Sequence, residues 1–422
     1  MKHLSRRTFL QAAASTLALP MIVSPRALGL SGSVAPSNRI AMGFIGCGGR
    51  MGGDMRAFLQ NKDVQPLAVC DVVRDRRETV RQQLKLEPQA GYNDFRELVA
   101  RPDIDAVAIA SPDHWHVLHS IHAMKAGKDV YCEKPLSNTV AEGRALVECA
   151  RRHGAVFQHG TQLHSLGAVR LACELVRNGR LGKLKEIVIG SPPGQATGLH
   201  PQMPVPDGLD YDLWLGPAPW APYTQARVFR TGWYFISDYS KSGWIAGYGV
   251  HDLDIAQWGL GLERSGPVEI EGRGVYPRDG LYDTILTYRI EFAYANGVKI
   301  IMTDTGQNRH GVKFIGEKGW VFTRSSIEAN PPALLREPIR PDEIHLYRSP
   351  DHTRNFLDCV KSRAETITPP EIAHRATSTA LLGGVACQLG RKLHWDPARE
   401  RFLDDPEAER LLSCPMRAPW RV

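Results

Sequence analysis

Short apolar runs alternate with longer amphipathic segments along the first part of the chain. The runs are typical of buried strands, and the segments between them repeat their apolar positions at the helical period. The predicted strands are Arg39–Ile45, Val64–Asp71, Ala106–Ala110, Asp129–Cys132 and Ala155–His159. The predicted helices are Met51–Gln60, Arg74–Leu84, His116–Ala126 and Thr139–His153. Regular strand–helix alternation predicts a parallel, doubly wound α/β sheet, which we assign to residues 38–165.

The pattern changes after a further predicted helix, Leu166–Asn178. Strand-like runs then follow one another directly, joined by turns such as Ala295-Asn296-Gly297. They are Lys185–Gly190, Val268–Val275, Thr284–Ala293, Val298–Thr303 and Val312–Ile315. Residues 166–350 are therefore expected to form an α+β domain around a mostly antiparallel, open-faced sheet with helices on one face.

Two other stretches complete this organisation. Gly194 to Trp244 is rich in Pro, Trp and Tyr and shows little periodicity, and loops of that length in compact domains are usually functional. The tail, residues 351–422, contains the helical patterns His352–Lys361 and Glu371–Leu389, and we expect it to pack back on the body of the protein.

Residues 1–30 differ from the rest of the chain. Ser5-Arg6-Arg7-Thr8-Phe9-Leu10 precedes a weakly apolar stretch, Gln11 to Val23, which resembles a twin-arginine export signal. The alternative is a chance Arg-Arg pair before an uncleaved anchor, but the stretch is shorter than the roughly 20 residues that span a bilayer. We expect export of the folded protein by the twin-arginine machinery to the periplasm or cell exterior, with no membrane association after the signal is removed.

Charge and cysteine content exclude some classes of function. The net charge is +7, but four of the positive charges lie in the N-terminal 30 residues, which contain no acidic residue. The remainder is too small and too scattered to indicate nucleic-acid binding. The eight cysteines show no metal-ligand spacing, so we expect buried, reduced thiols and no metal.

A glycine-rich turn follows the first predicted strand. Gly46, Gly48 and Gly49 would allow a tight turn and a close approach of the backbone to a pyrophosphate, which then lies at the start of the next helix. Arg50 follows, and Met51 occupies the third glycine position of the usual pattern, with Gly52-Gly53 after it. This context predicts a dinucleotide site at Gly46, Gly48, Gly49, Arg50 and Met51.

Asp71 closes the second predicted strand. A carboxylate there hydrogen-bonds the adenosine ribose and repels a 2′-phosphate, which favours NAD over NADP. Arg74 and Arg76 follow closely and leave NADP possible.

A polar cluster follows the third predicted strand, where ligands bind in such sheets. Ser111, Pro112, His114 and His116 are expected to border the nicotinamide ribose and ring. Asp113 belongs to the same cluster, and it is also placed to cap the next helix.

Glu133-Lys134-Pro135 ends the fourth predicted strand. A lysine aimed into a partly dry pocket can hydrogen-bond a substrate hydroxyl and stabilise its alkoxide as hydride leaves. Taken alone the tripeptide is a common surface turn, but its place in this fold favours the catalytic interpretation.

His251 lies near the start of a helix that follows a glycine-rich segment. An imidazole titrates near neutral pH, so His251 could take the hydroxyl proton when hydride leaves. The structural alternative is an N-terminal helix histidine, with Asp252 and Asp254 interacting with the helix dipole.

As a set, these motifs resemble the Gfo/Idh/MocA oxidoreductases, which include glucose–fructose oxidoreductase and inositol dehydrogenase. The resemblance covers essentially all of the chain after the signal. It rests on Gly46–Arg50, Pro112–His116, Ala126–Pro135, Gly160–Gln162, Val250–Asp254 and the closing Pro415–Arg421.

The resemblance implies a Rossmann domain and an open-faced sheet domain with the active site between them. Lys134 then matches the catalytic lysine and His251 the catalytic histidine, while Glu133 and Gln162 join the cofactor contacts. Many dehydrogenases of the family carry an aspartate four residues before the histidine. This chain has Gly247 there, and its Tyr248-x-x-His251 spacing is similar to that of the family's NAD-dependent glycosidases.

Three functions remain open. The first is an exported oxidoreductase with tightly bound NAD(P) that acts on a sugar, polyol or sugar derivative. Since free NAD(H) is not supplied outside the cytoplasm, its cofactor would have to be restored in place. The second is an NAD-dependent glycosidase using Tyr248 and His251, and the third is a non-catalytic sugar-binding protein. We also expect a homo-oligomer.

Overall fold

The computed structural model describes residues 34–229 and 231–422, so the predicted export signal lies outside the described residues. In this part of the chain six parallel strands form one sheet, in the spatial order β3-β2-β1-β4-β5-β6. They are β1 Ile40–Ile45, β2 Val64–Cys70, β3 Gly91–Tyr92, β4 Ala106–Ile109, β5 Asp129–Cys132 and β6 Phe157–His159. The predicted doubly wound sheet is confirmed. Its strand order reverses between β1 and β4, where ligands bind in such sheets.

Helices connect these strands and cover both faces of the sheet. They are α1 Gly49–Leu59, α2 Arg74–Gln83, α3 Phe95–Val99, α4 His116–Lys125 and α5 Val140–His153. α5 shows why local sequence specifies them: the Thr139 hydroxyl accepts from the Glu142 amide at its start, and Gly154 ends it at a φ of +60°. β3 and α3 are too short to give a periodic signal and were not predicted.

The described residues also contain a nine-stranded sheet, in the order β13-β12-β11-β7-β10-β9-β8-β14-β15. Its neighbours are antiparallel except β7 and β10, which confirms the mostly antiparallel prediction. The strands are β7 Leu184–Ser191, β8 Glu269–Val275, β9 Thr287–Ala293, β10 Lys299–Asp304, β11 Gly311–Gly316, β12 Gly319–Thr323, β13 Ile327–Asn330, β14 Leu393–Asp396 and β15 Arg401–Phe402.

Helices cover one face of this second sheet. Those of the second half of the chain are α6 Gly167–Arg177, α7 Tyr211–Leu215, α8 Gln225–Val228, α9 Trp244–Gly247, α10 Gly249–Leu260, α11 His352–Ser362, α12 Pro370–Leu389 and α13 Pro406–Arg410. α10 packs on β7 and β11, and α12 packs on β8, β9 and α5. α11 contacts α1, so the C-terminal part of the chain reaches the first sheet.

The aromatic-rich stretch lies against the first sheet and its helices. The amide of Arg74 donates to the Gly208 carbonyl at 2.8 Å, and the amide of Asp210 donates to the Val72 carbonyl at 3.0 Å. The side-chain amide of Asn93 donates to the Asp210 carboxylate at 2.8 Å. Residues 208–229 and 231–234, here named the cover segment, are thereby held over the edge of the sheet where β1, β2 and β4 end.

All eight cysteines lie within the described residues and have free thiols, and all but Cys414 are buried. None of the helices in the described residues has both the length and the apolar composition needed to cross a bilayer.

Candidate active site

A cavity of about 330 Å³ lies between the carboxyl edge of the first sheet and the cover segment. Most of the residues assigned to cofactor binding from the sequence line it. They are Gly46, Gly48, Gly49, Arg50, Asp71, Ser111, Pro112, His116, Glu133 and Lys134. The cover segment contributes Leu213, Trp214, Val228, Thr231, Trp233 and Tyr234.

The glycine turn leaves room for a phosphate group. Gly46 has a φ of +86°, and a Cβ there would lie 2.6 Å from the amide nitrogen of Ser111, so glycine is required. Gly48 and Gly49 face open space, and a Cβ at either position would have no neighbouring atom within 4 Å. α1 begins at Gly49 without a side-chain cap or an acidic first turn, so its free N–H groups fit a pyrophosphate.

Asp71 lines this cavity directly after the end of β2. Its carboxylate accepts from the amides of Cys47 at 2.7 Å and Val73 at 2.8 Å, which fixes its direction, while burial raises its pKa. The remaining acceptor capacity suits the hydroxyls of a ribose. Arg76 also lines the cavity, with its guanidinium 5.0 Å from the ring of Phe229.

Three residues of the predicted cofactor set do not line the cavity. Met51 is buried in the apolar cluster behind the glycine turn. His114 Nε2 lies 3.0 Å from the carbonyl of Trp214 in the cover segment. Gln162 donates to Glu133 Oε1 at 2.7 Å. The structure thus places these three in support of residues that do face the cavity.

Glu133 is buried within a network of polar groups. Arg50 Nη2 lies 2.9 Å from Glu133 Oε1 and 2.5 Å from the carboxylate of Asp54. A Cβ at Gly160 would lie 2.4 Å from the same Glu133 oxygen, so this glycine makes the space for the carboxylate. Burial raises the pKa of Asp54 to about 8. Asp54 belongs to no motif that the sequence offers, and it is buried because it lies on the inner face of α1.

Lys134 reaches across from the first sheet to the second domain. Its Nζ donates to the Gly247 carbonyl at 2.7 Å. The same nitrogen lies 5.5 Å from the ring centroid of Tyr234 and 5.2 Å from that of Tyr248. Burial lowers the pKa of Lys134. Its ammonium is therefore surrounded by one carbonyl and two aromatic faces, and it is available to a substrate oxygen.

Asp113 lies close to Lys134. Its Oδ2 accepts from the hydroxyl of Ser240 at 2.8 Å, and its Oδ1 has no hydrogen-bond partner among the described residues. Burial raises its pKa to about 7, against the opposing positive charge of Lys134. The carboxylate thus bonds to Ser240 instead of acting as the cap of α4, which has no side-chain cap.

His251 lies in the first turn of α10, and the residues that line the cavity do not include it. It is buried, and its Nδ1 has no hydrogen-bond partner in the described part of the chain. Burial lowers its pKa well below the ordinary value, and the charge of Lys134 lowers it further. The imidazole is therefore neutral near pH 7 and able to accept a proton.

The two aspartates that follow His251 are buried and paired. Asp252 lies 3.0 Å from Arg324, and Asp254 lies 2.9 Å from His164. The structural alternative for His251 gave both aspartates an interaction with the helix dipole, and the structure adds for each a partner distant in sequence.

Two family models match the chain. One, described as the NAD-binding Rossmann fold of an oxidoreductase family, matches residues 40–161, and the other, the C-terminal alpha/beta domain of an oxidoreductase family, matches residues 194–422. The first domain is therefore an NAD-binding Rossmann domain. The second match alone spans more than half of the chain.

Curated relatives align over shorter stretches. A glycosyl hydrolase family 109 protein of Solibacter usitatus is 35% identical over 135 residues, 29% of this chain and 30% of that protein. For this relative and two others, the match covers 29 to 38% of the relative's length.

Solved structures share the fold over most of the chain. The WlbA dehydrogenase of Bordetella pertussis, in complex with NADH and UDP-GlcNAcA, has a TM-score of 0.65 at 15% identity, over 85% of this chain and 99% of that one. An aldose-aldose oxidoreductase of Caulobacter crescentus, complexed with glycerol, has a TM-score of 0.63 at 18% identity, over 84% of this chain and 99% of that one. At this identity the likeness establishes the fold alone.

Two alanine substitutions in the glycine turn are expected to affect different properties, one the stability of the protein and the other its affinity for NAD. Gly46→Ala places a Cβ against the Ser111 backbone at a positive φ and is expected to destabilise the protein by about 2 kcal/mol or more. Gly48→Ala meets open space and is expected to keep the melting temperature but to weaken NAD binding, because the methyl group projects into the phosphate site. Thermal unfolding and calorimetric titration with NAD measure the two effects. Unchanged NAD affinity in Gly48→Ala would place the pyrophosphate elsewhere.

Asp113→Asn is expected to gain stability relative to the wild type as the pH rises. Between the ordinary carboxyl pKa of 3.8 and about 7, only the unfolded chain ionises at this position, which favours unfolding. The slope is at most about 1.4 kcal/mol per pH unit. Urea titrations of both proteins near pH 4 and near pH 7 give the free energies of unfolding. A difference between the proteins that does not vary with pH would show that folding does not raise the pKa of Asp113.

Proposed function

We propose that this chain, which belongs to the Gfo/Idh/MocA family of oxidoreductases, catalyses NAD-dependent hydride transfer. The hydride leaves a hydroxyl-bearing carbon of a sugar, polyol or sugar derivative. The observation that carries the proposal is that Lys134 lines a cavity that fits a dinucleotide and lies close enough to the buried, neutral His251 for its charge to lower the pKa of that imidazole. NAD, when bound, accepts the hydride and later returns it.

Lys134 and His251 have complementary roles in this reaction. The ammonium of Lys134 hydrogen-bonds the reacting hydroxyl and stabilises the alkoxide that forms as the hydride leaves. His251 takes the hydroxyl proton, because its lowered pKa keeps the imidazole in the neutral form, which can accept a proton, at neutral pH. Glu133, held by Arg50 and Gln162, fixes the end of β5 and with it the position of Lys134.

The cover segment supports tight retention of the cofactor. The C-terminal tail lies across it: Arg417 Nε donates to the Gly216 carbonyl at 2.9 Å, and Arg417 Nη1 donates to Asp212 at 2.5 Å. Trp420 then packs at 4.7 Å from Trp115, which itself lines the cavity. A dinucleotide beneath these contacts would leave only when the tail and the cover segment open.

Retention of the cofactor agrees with the export predicted from residues 1–30. A folded protein passing through the twin-arginine route can carry its dinucleotide to the periplasm or cell exterior. Because free NAD(H) is not supplied there, the bound cofactor must be restored in each cycle, either by a second sugar or within one substrate. We also expect self-association through the open face of the second sheet.

A second candidate is the redox-neutral glycosidase. Tyr248 is favoured as its additional acid/base group because its ring lies 5.2 Å from Lys134 Nζ, and the position four residues before His251 is the side-chain-free Gly247. The relative of the glycosyl hydrolase 109 family supports the same alternative. In this cycle oxidation of a hydroxyl acidifies the neighbouring C–H, the glycosidic oxygen is eliminated, water adds, and the hydride returns.

The role of Lys134 is tested by Lys134→Met, with the exposed Lys125→Met as the matched control. We expect turnover to fall roughly 10²-fold or more in the first variant, with unchanged bound NAD, and to stay at the wild-type level in the control. Pairs of free sugars and a panel of aryl glycosides are the substrates, followed by product chromatography and by the near-ultraviolet absorbance of bound NADH.

Reduction of the bound NAD by a free sugar without glycoside cleavage identifies the oxidoreductase, whereas glycoside cleavage without net reduction identifies the glycosidase. Full activity of Lys134→Met on either substrate class would refute the assigned role.

Retention is tested by the double variant Arg417→Ala/Trp420→Ala, with the exposed Arg421→Ala as control. Losing contacts worth about 1–2 kcal/mol should speed NAD dissociation roughly five- to thirtyfold. The measurements are the dinucleotide released by denaturing the purified protein and the rate of exchange with labelled NAD. Equal dissociation rates in the double variant and the wild type would show that the tail does not retain the cofactor.

A further inference from the structure

The aromatic residues of the stretch from Gly194 to Trp244 differ in what they face. Trp214, Tyr223 and Tyr239 are buried in an apolar cluster of the cover segment and its flank. Trp220 is 66% exposed and lies outside the cavity lining. The aromatic residues of this stretch that line the cavity are Trp214, Trp233 and Tyr234, and of these Tyr234 has its ring beside the ammonium of Lys134.

Tyr234 lies against the reaction centre. Its ring centroid is 5.5 Å from Lys134 Nζ, and Trp233 stacks on it with ring centroids 3.8 Å apart. A Cβ at Gly247 would be 3.4 Å from the Tyr234 ring. The ring of Tyr234 therefore packs against the side-chain-free position 247, whose carbonyl holds Lys134.

The chemistry of this side chain complements that of His251. Burial, together with the negative charges of Asp113 and Glu133, raises the pKa of Tyr234 well above its ordinary value, so the phenol keeps its proton. A neutral His251 is an acceptor, Lys134 is a charged donor, and Tyr234 adds a neutral donor next to them. Its flat ring, backed by Trp233, also suits the C–H face of a pyranose or an extended polyol.

We infer that Tyr234 is a further catalytic residue: its ring contacts the apolar face of the substrate, and its hydroxyl donates a hydrogen bond to an oxygen beside the reacting carbon. This inference rests on the proposed function and adds a residue to it. The cover segment thereby supplies a substrate contact as well as closing the cofactor cleft. Polyhydroxylated substrates with one continuous C–H face are the class that this arrangement fits.

The test compares Tyr234→Phe and Tyr234→Ala, with Trp220→Ala as the exposed control. Tyr234→Phe keeps the ring and loses the donor, so we expect a nearly unchanged KM and a kcat roughly tenfold or more lower. Tyr234→Ala also loses the ring face that contacts the substrate, so KM should rise as well. Trp220→Ala should behave as the wild type.

Binding provides a second measurement that does not depend on turnover. Titration of the proteins loaded with NADH, which cannot accept a hydride from the sugar, is followed by calorimetry and should give wild-type affinity for Tyr234→Phe and weaker affinity for Tyr234→Ala. Circular dichroism and bound NAD content verify that each variant is folded. Tyr234→Ala failing to fold would leave Tyr234→Phe as the deciding comparison.

The two proposals fail in different ways. Wild-type kcat and KM in Tyr234→Phe and Tyr234→Ala, with Lys134→Met inactive, would overturn the inference and leave the proposed function intact. A wild type that neither reduces its NAD with any sugar or polyol nor cleaves a glycoside would overturn both.

Discussion

The burial of two adjacent charges, Glu133 and Lys134, is the constraint on which the surroundings of this site depend. Removing charges from water is costly unless each gains partners, and here the partners come from separate parts of the chain. Arg50 and Gln162 supply them to Glu133, and Gly247 supplies a carbonyl to Lys134. The glycine turn, the end of β6 and the start of α10 must therefore meet at the end of β5.

This meeting explains several residues with no chemistry of their own. Gly160 leaves space for the Glu133 carboxylate, and Gly46 lets β1 turn against the strand end at Ser111. Asp252 and Asp254 pair with Arg324 and His164 and so tie α10, which carries His251, to segments distant in sequence. At the site itself the Rossmann domain and the second domain are joined by the hydrogen bond from Lys134 to the Gly247 carbonyl.

The same burial sets the protonation states that the proposed chemistry requires. A dry environment lowers the pKa of His251 and Lys134 and raises those of Asp113 and Tyr234. Burial disfavours the charged form of each group, which leaves His251 as a neutral acceptor, Tyr234 as a neutral donor and Lys134 as an ammonium that gives up its proton more readily than usual.

The sequence by itself determined the doubly wound domain, the mostly antiparallel second sheet and the positions of Gly46, Asp71 and Lys134. Each depends on local information: apolar period, glycine at a strand end, or a polar residue directly after a buried strand. β3 and β15 were missed because two residues carry no period, and β14 because its partner β8 lies more than a hundred residues away in sequence.

Only the tertiary structure decided which side chains face the cavity. It placed Met51, His114 and Gln162 behind the lining, and it brought Tyr234, Arg76 and Asp113 to or beside it. Neither outcome can be predicted from the sequence, because packing against residues far away in sequence sets the direction of each side chain. Motif spacing specifies where a strand delivers a residue, whereas burial against a distant partner determines what that residue can do.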